Sequence, residues 1–500
     1  MTYRSYLWLL AGVAPVYLLL AALLPPADDE IYYWCWSQRL QLSYYDHPPM
    51  TAYMIRAATT VFGDTLFAIR LPAVVSTWTV LAVIGWLTRP RTLLPLVLFT
   101  PFFTFGGVLV TPDTPLLMFW ALYLAWLVKI HEKLAESSVV SVSGWILGGV
   151  ILGCGILGKY TTGLGMVAGF VSFLLIGRPR RWLPGYILHG IVAVIVTLPI
   201  LIHNVRYDFV PLMYQWKHSM SSPEPGIVPF VSFFGIQILL FGLLPMAVFV
   251  WTVWNWKELF LRAGSAKDGR DDPSLMLPAH NGARLPVCAC LFALPYAFFL
   301  YKATRGHLEG NWALAVYIAA WPLAAEMIER AKNAILARRL AWASFAIPAG
   351  CVLALAVHLV HPLAVLTPAA DRITRQRGKE EIARQVAAAL GRENEPLFAT
   401  NYQWTALLRF HHLDARQIDG ITRPSHFTQY PESLADRNRA MVFAEGFLPP
   451  KYVEGFAPPR IVGRFPLVVR GEEVGTFWLI EYVKPAHSHE HAAATSLDPR

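Results

Sequence analysis

Residues 28–50 read DDEIYYWCWSQRLQLSYYDHPPM and follow an apolar run, residues 7–24, long enough to cross a bilayer. The stretch opens with three acids, Asp28, Asp29 and Glu30, at the mouth of that run. It closes on a second polar knot, Asp46-His47-Pro48-Pro49. Between the two lie tyrosines and tryptophans of the kind that settle at a membrane–water interface. Carboxylates beside a hydrophobic span are costly to desolvate, so their presence needs a use. Such a loop predicts a membrane protein and marks where its polar site lies.

The rest of the chain agrees. Hydrophobic residues make up 55% and charged residues 15%, against about 25% charged in a typical soluble domain. Mean hydropathy is +0.43. The expected fold class is a polytopic α-helical membrane protein. Spans are predicted at 7–24, 66–87, 92–109, 115–130, 144–158, 161–176, 184–203, 229–254, 285–303, 312–329 and 340–361, about eleven in all. The first run is long and no Ala-x-Ala site precedes the acids, which argues for an uncleaved span over a signal peptide.

Net charge is +9, but the cations sit where they set topology. If the first span leaves the cytoplasm, the inside connections carry Arg89 and Arg91; Lys129 and Lys133; Arg178, Arg180 and Arg181; Lys257, Arg262, Lys267, Arg270 and Arg284; and Arg330, Lys332, Arg338 and Arg339. The outside connections carry far fewer, so no nucleic-acid partner is expected. There is no P-loop and no G-x-G-x-x-G after a strand. Cys35, Cys154, Cys288, Cys290 and Cys351 form no disulfide framework, and Cys288-x-Cys290 lacks zinc spacing.

An odd number of spans leaves everything after about residue 362 outside. The expected division is a transmembrane domain with catalytic loops, 1–361, a small extracytoplasmic α/β domain, 362–484, and a disordered tail, 485–500. Within the second, 379–390 has helical spacing and 396–400, 440–444 and 462–482 read as β-like runs. The tail carries His487, His489 and His491, read as solvated ahead of metal-binding.

On this topology the unusual polar groups gather on one membrane face: Asp29, Glu30, Asp46 and His47; Asp113; Lys159 and Tyr160; His203, Asn204, Arg206 and His218; and Arg305, His307, Glu309 and Asn311. Loops around a cavity explain the pattern; lipid-facing positions do not. Each residue has a plainer reading. Asp113 fits a helix N-cap, Lys159 could snorkel, Asp28 could be a solvated loop acid, and His218 an interface histidine.

Asp29-Glu30 after the first span, Tyr45-Asp46-His47-Pro48-Pro49, Asp113 and Lys159 resemble the GT-C glycosyltransferases. More closely, they resemble the bacterial family that includes dolichyl-phosphate-mannose protein mannosyltransferases and lipid A aminoarabinose and galacturonic acid transferases. The segments from His203-Asn204 to His218 and GHLEGNWALAVY at 306–317 are similar to that family too. The resemblance covers residues 1–330. It implies a polyprenyl-phosphate sugar as donor and reaction on the periplasmic face of a bacterial inner membrane. It also implies Asp29 as base, with Glu30 orienting or assisting. The aminoarabinose branch has Glu-Lys where this chain has Asp46-His47, which leaves the donor sugar open.

A sugar on polyprenyl phosphate already carries a good leaving group. The site must take a proton from the acceptor, which a partly dry carboxylate suits, and neutralise the departing phosphate. Lys159 and Arg305 suit that second task as cations, with Tyr160 and His47 beside them on the donor. Asp46, Asp113, His218 and Asn311 complete the expected substrate site. Asp46 and His47 are also candidate ligands for a divalent metal ion, the one cofactor weighed. Single displacement implies inversion. A lipid A or envelope glycolipid acceptor is favoured over a protein acceptor. A transporter or flippase of lipid-linked sugars is the alternative class, though transporters place such groups near the midplane.

Overall fold

The structure is a computed structural model that describes residues 2–89, 93–136, 138–176, 179–220, 226–265, 283–306, 308–390, 396–430 and 432–485. The expected tail from Pro485 onward, with its histidines, lies almost wholly outside the described residues, as do Arg91, Arg178, Lys267, Arg270 and His307. The chain divides into two compact units, Met1–Leu363 and Ala364–Arg500.

The first unit is helical. It opens with α1 (Tyr3–Leu23), α2 (Asp28–Gln38), α3 (Met50–Phe62), α4 (Leu66–Leu87) and the single turn α5 (Leu94–Val97). Next come α6 (Asp113–Ala135), α7 (Val142–Gly158), α8 (Gly163–Ile176), α9 (Pro179–Arg206) and α10 (Val210–Met220). It ends with α11 (Ile227–Phe241), α12 (Leu244–Trp254), α13 (Trp256–Ser265), α14 (Arg284–Ala303), α15 (Tyr317–Glu329), α16 (Ala334–Ser344) and α17 (Ala346–Val360). Hydroxyl caps begin several spans: Thr2 accepts from Ser5 N, Thr65 from Ala68 N and Ser141 from Gly144 N.

Among the described residues seven helices are long and apolar enough to cross a membrane. The span expected at 229–254 is not one straight helix: α11 and α12 meet at 109°, the geometry of a broken span or a re-entrant pair. The break is at Gly242, whose φ of +72° suits glycine and whose added Cβ would lie 2.3 Å from Ser344 O. The spans expected at 144–158 and 161–176 are the shorter apolar helices Val142–Gly158 and Tyr160–Ile176.

The span expected at 92–109 is not a continuous helix. After α5 the chain returns past α1 and α4 in turns and one 3₁₀ turn, Gly106–Val108, so that Val110 N reaches Glu30 Oε1 at 3.0 Å. Pro95, Pro101 and the Gly106-Gly107 pair interrupt the helical ladder. Irregular backbone among buried helices must find partners. Here they come from Tyr17 OH to Phe103 O, Thr77 Oγ1 to Gly107 O at 2.8 Å, and Thr104 Oγ1 to Thr100 O at 2.9 Å.

The packing of α7 on α9 rests on small residues. An added Cβ at Gly149 would lie 2.5 Å from His189 O, and one at Gly153 would lie 2.6 Å from Val196 Cβ, the Gly-xxx-Gly arrangement of membrane helix pairs. Gly149→Leu should destabilise the unit by about 1–3 kcal/mol through overpacking. Gly190→Leu on α9, where nothing stands within 4 Å, should not. Thermal midpoints of the two variants in detergent check this; equal midpoints would contradict it.

Several of the connections expected inside meet at one end of the bundle. Arg284 Nε reaches Glu132 at 3.1 Å and Lys129 Nζ reaches the same carboxylate at 3.0 Å, both cations lying over the Trp86 ring. Arg330 pairs with Glu326 and Glu258.

The second unit contains α18 (Arg372–Leu390), β1 (Leu397–Ala399), α19 (Tyr402–Phe410), β2 (Ala415–Gln417), β3 (Arg439–Ala444), β4 (Arg460–Val469) and β5 (Glu472–Val483). The sheet order is β2-β1-β3-β5-β4, parallel around β1 and antiparallel around β5. The run expected at 462–482 is the β4–β5 hairpin, turned at Arg470 and Gly471 with φ of 54° and 85°. Alternation along β3 sends Met441 and Phe443 to one core, with Trp404 and Phe477, and Val442 to the other, with Phe398 and Ile480. Both faces are therefore filled.

Glu481 on β5 accepts from Arg439 Nε at 2.6 Å and Arg460 Nε at 2.7 Å. The Arg439 bond first, and the Arg460 pair after it, hold its carboxyl below the ordinary value of 4.5. A depressed folded-state pKa stabilises above the unfolded value and is lost as pH falls through the folded one. Glu481→Gln should therefore speed amide exchange in β3 and β5 at pH 7, and the difference from wild type should vanish on acidification below the carboxylate range. A pH-independent difference would contradict this.

Candidate active site

Three acids fill the first turn of α2, where exposed backbone N–H groups and the helix dipole favour negative charge. Successive helical residues point about 100° apart, and Asp29 and Glu30 meet different surroundings. Glu30 is 1% exposed and Arg70, on α4, is 0% exposed. Arg70 Nη2 lies 2.7 Å from Glu30 Oε2, and Nε lies 3.0 Å from Oε1. The rest of the guanidinium caps the end of α1, donating to Ala21 O at 3.1 Å, Leu24 O at 2.7 Å and Pro25 O at 2.7 Å. Glu30 also accepts from Ala27 N and Val110 N, each at 3.0 Å. Expected beside the base, Glu30 is instead the knot that ties α1, α2, α4 and the strand of chain before Asp113.

Asp29 lines a cavity of about 500 Å³. Tyr33 lines it from α2 and His47 from the loop that follows, and Thr111 and Asp113 from the start of α6. Lys159 and Tyr160 stand between α7 and α8. Gln215 and Trp216 of α10 cover one side; Glu309, Asn311 and Trp312 form another.

The cavity floor is an ion pair. Lys159 Nζ donates to Asp113 Oδ1 at 2.7 Å, and Asn311 Nδ2 donates to Asp113 Oδ2 at 2.6 Å, with both charged groups buried. Asp113 is not an N-cap: Pro112 occupies that position and makes no side-chain bond. Its carboxylate is committed to fixing Lys159 and Asn311. An ammonium carries three donors, and Asp113 takes one of them.

The expected residues divide. Asp29, His47, Asp113, Lys159, Tyr160 and Asn311 share the cavity. Asp46 does not line it: Tyr32 OH donates to its buried carboxylate, and Gln215 donates to its backbone carbonyl. Arg305, expected as a phosphate cation, is exposed and lies over the Tyr301 ring at 5.3 Å, on the end of its own helix. The side chain of His218 falls outside the described residues. Asn204 holds the turn into α10, where Leu212 N donates to its Oδ1 at 3.0 Å. For the metal, Asp46 turns to Tyr32 while His47 faces the cavity. Among the described residues no three His, Cys, Asp or Glu are grouped to hold an ion. The residues present do not fit a metal centre at this pair.

Sequence reading missed Arg70, Tyr33, Gln215, Trp216 and Trp312. Arg70 had a signal, a lone charge inside the 66–87 span; the aromatics had none beyond their number.

A family model described as dolichyl-phosphate-mannose-protein mannosyltransferase matches residues 46–203. That segment includes Asp113 and Lys159 but not Asp29. The lipid A galacturonosyltransferase RgtD of Rhizobium johnstonii is 26% identical over 406 residues, covering 75% of this chain and 74% of that protein. ArnT from Cupriavidus metallidurans in the apo state has the same fold, with a TM-score of 0.60 at 14% identity over 95% of this chain and 98% of that one. The same protein bound to undecaprenyl phosphate gives 0.59 at 15% identity, with the same coverage.

Proposed function

We propose that this multi-pass membrane glycosyltransferase, built on the GT-C fold, takes a sugar from a polyprenyl-phosphate donor and places it, with inversion, on a hydroxyl or phosphate of lipid A or a related envelope glycolipid. The observation that carries the reading is the single cavity in which Asp29 faces the fixed Asp113–Lys159–Asn311 group. The donor class draws support from the ArnT complex with undecaprenyl phosphate, and the acceptor from the galacturonosyltransferase relative. Clustering of Lys129 and Arg284 over Trp86 supports a cytoplasmic location for that end of the bundle and a periplasmic one for the cavity. The second unit would then be periplasmic.

In this reading the donor phosphate lies against Lys159, whose remaining donors take up its charge. Asp29 accepts the proton of the acceptor hydroxyl as that oxygen bonds to the anomeric carbon. The bond from that carbon to the phosphate oxygen breaks, and polyprenyl phosphate leaves with the electron pair. The leaving group needs no proton, so one carboxylate base and one held cation suffice. His47 and Asn311 donate to phosphate or sugar oxygens, and the rings of Tyr33, Trp216 and Trp312 offer flat apolar faces to the sugar. A protein hydroxyl is the second acceptor reading, favoured by the match over 46–203.

Incubating the purified chain with radiolabelled undecaprenyl-phosphate sugars and either a lipid A-containing extract or unfolded protein tests both readings. Label passing to lipid with inverted anomeric configuration is expected. Retained configuration would rule out single displacement, and label found only on protein would replace the lipid acceptor.

A further inference from the structure

We infer that Gln237 is a positioning residue for the transfer site, acting from inside the bent α11–α12 pair through Asn311. The inference rests on the proposed role of the Asp113–Lys159 pair. Gln237 sits in the apolar run FFGIQILLF of α11 and is 1% exposed. A carboxamide buried among lipid-spanning helices is costly unless its hydrogen bonds are made. Both ends are engaged. Its Nε2 donates to Gly310 O at 3.0 Å, and its Oε1 accepts from the buried Tyr317 hydroxyl at 2.7 Å.

Gly310 opens the 3₁₀ turn Gly310–Val316, and the next residue, Asn311, donates to Asp113. The chain of contacts runs Tyr317, Gln237, the Gly310 carbonyl, Asn311, Asp113, Lys159. A second observation fixes the register of this contact. A Cβ on Gly310 would stand 2.3 Å from Ile236 Cγ2, so α11 touches the turn's backbone at the one residue able to let it so close. Tyr317 is itself held by the Phe241 ring, 4.1 Å between centroids, one residue before the break at Gly242. Gln237 therefore sets where the turn, and with it the Asn311 amide, stands over the ion pair.

Polar glue between helices would act on stability alone; positioning acts on turnover of the folded protein. The test uses purified full-length Gln237→Leu, Tyr317→Phe, Asn311→Ala and the Gln237→Leu/Asn311→Ala double variant. Each is assayed for kcat and KM on the undecaprenyl-phosphate sugar that the wild type uses, normalised to folded protein. In parallel, acetic anhydride acylation of Lys159 is followed by mass spectrometry. Acylation needs no turnover and reports how firmly Asp113 holds the amine.

Gln237→Leu should lower kcat by about 10–100-fold, the scale of a misplacement of an ångström or less, with donor KM little changed. Tyr317→Phe should lose less, since the Gly310 bond remains. The double variant should be no slower than Asn311→Ala alone, and Lys159 should be acylated faster in all three single variants. Wild-type kcat and acylation in folded Gln237→Leu would overturn the inference, as would a full additional loss on top of Asn311→Ala. Should Gln237→Leu not fold, Tyr317→Phe carries the same readouts. If the wild type transfers from no donor, the transferase reading fails, while the acylation rates still decide the relay.

Discussion

Asp29→Asn should lower sugar transfer by about 10²–10⁴-fold, the usual contribution of a positioned general base. The amide keeps the size and cavity position of the carboxylate but cannot take a proton. The knot beneath it, Glu30 with Arg70, is untouched by the change. Folding, the thermal midpoint and binding of undecaprenyl phosphate should therefore stay near wild type, and the loss should fall on kcat. A variant that loses donor binding in proportion to rate would show Asp29 to be a substrate contact and move the search for the base to Glu309, His47 and Asp113, which also line the cavity.

Arg70→Met should cost stability on a comparable scale. Removing one partner of a buried ion pair costs about 3–5 kcal/mol, because the other charge stays buried without compensation. Here the loss is compounded: Ala21, Leu24 and Pro25 lose the donor that closes the end of α1, while Glu30 keeps its bonds from Ala27 and Val110. A markedly lower thermal midpoint in detergent is expected. Adding Glu30→Gln to Arg70→Met should recover part of it, since a neutral side chain is cheaper to leave among apolar helices. An unchanged midpoint for Arg70→Met, or a double variant worse than the single one by the full cost of each, would contradict this account of the knot.

The spans were legible wherever length and hydropathy alone decide, as in α1, α4, α6 and α14. The crossing at 92–109 was not, because hydropathy counts side chains and cannot see that Pro95, Pro101 and Gly106-Gly107 exchange the helical ladder for threonine and tyrosine donors. The sharp bend between α11 and α12 hid in the same way behind Gly242.

At the site, sequence could say that Asp29, His47, Asp113, Lys159, Tyr160 and Asn311 belong to one face, since loop acids and a lysine against the charge bias need a common use. It could not separate Asp29 from Glu30. Adjacent carboxylates look alike until a helix turns them apart and an arginine forty residues on claims one. The position of Arg305 had no such signal: its side chain lies over Tyr301 and does not line the cavity. Gln237 carried a signal, an amide in an apolar run, but its partners lie seventy to eighty residues away.

Chemical rescue of Asp29→Asn tests the central assignment most directly. Azide is a nucleophile with no proton to lose, so a site lacking only its base should still use it. With undecaprenyl-phosphate sugar bound, the account predicts that Asp29→Asn, nearly inert towards a hydroxyl acceptor, releases undecaprenyl phosphate and an inverted glycosyl azide when azide is added. Wild-type turnover of the hydroxyl acceptor by the variant, or bound donor that azide cannot consume, would contradict it.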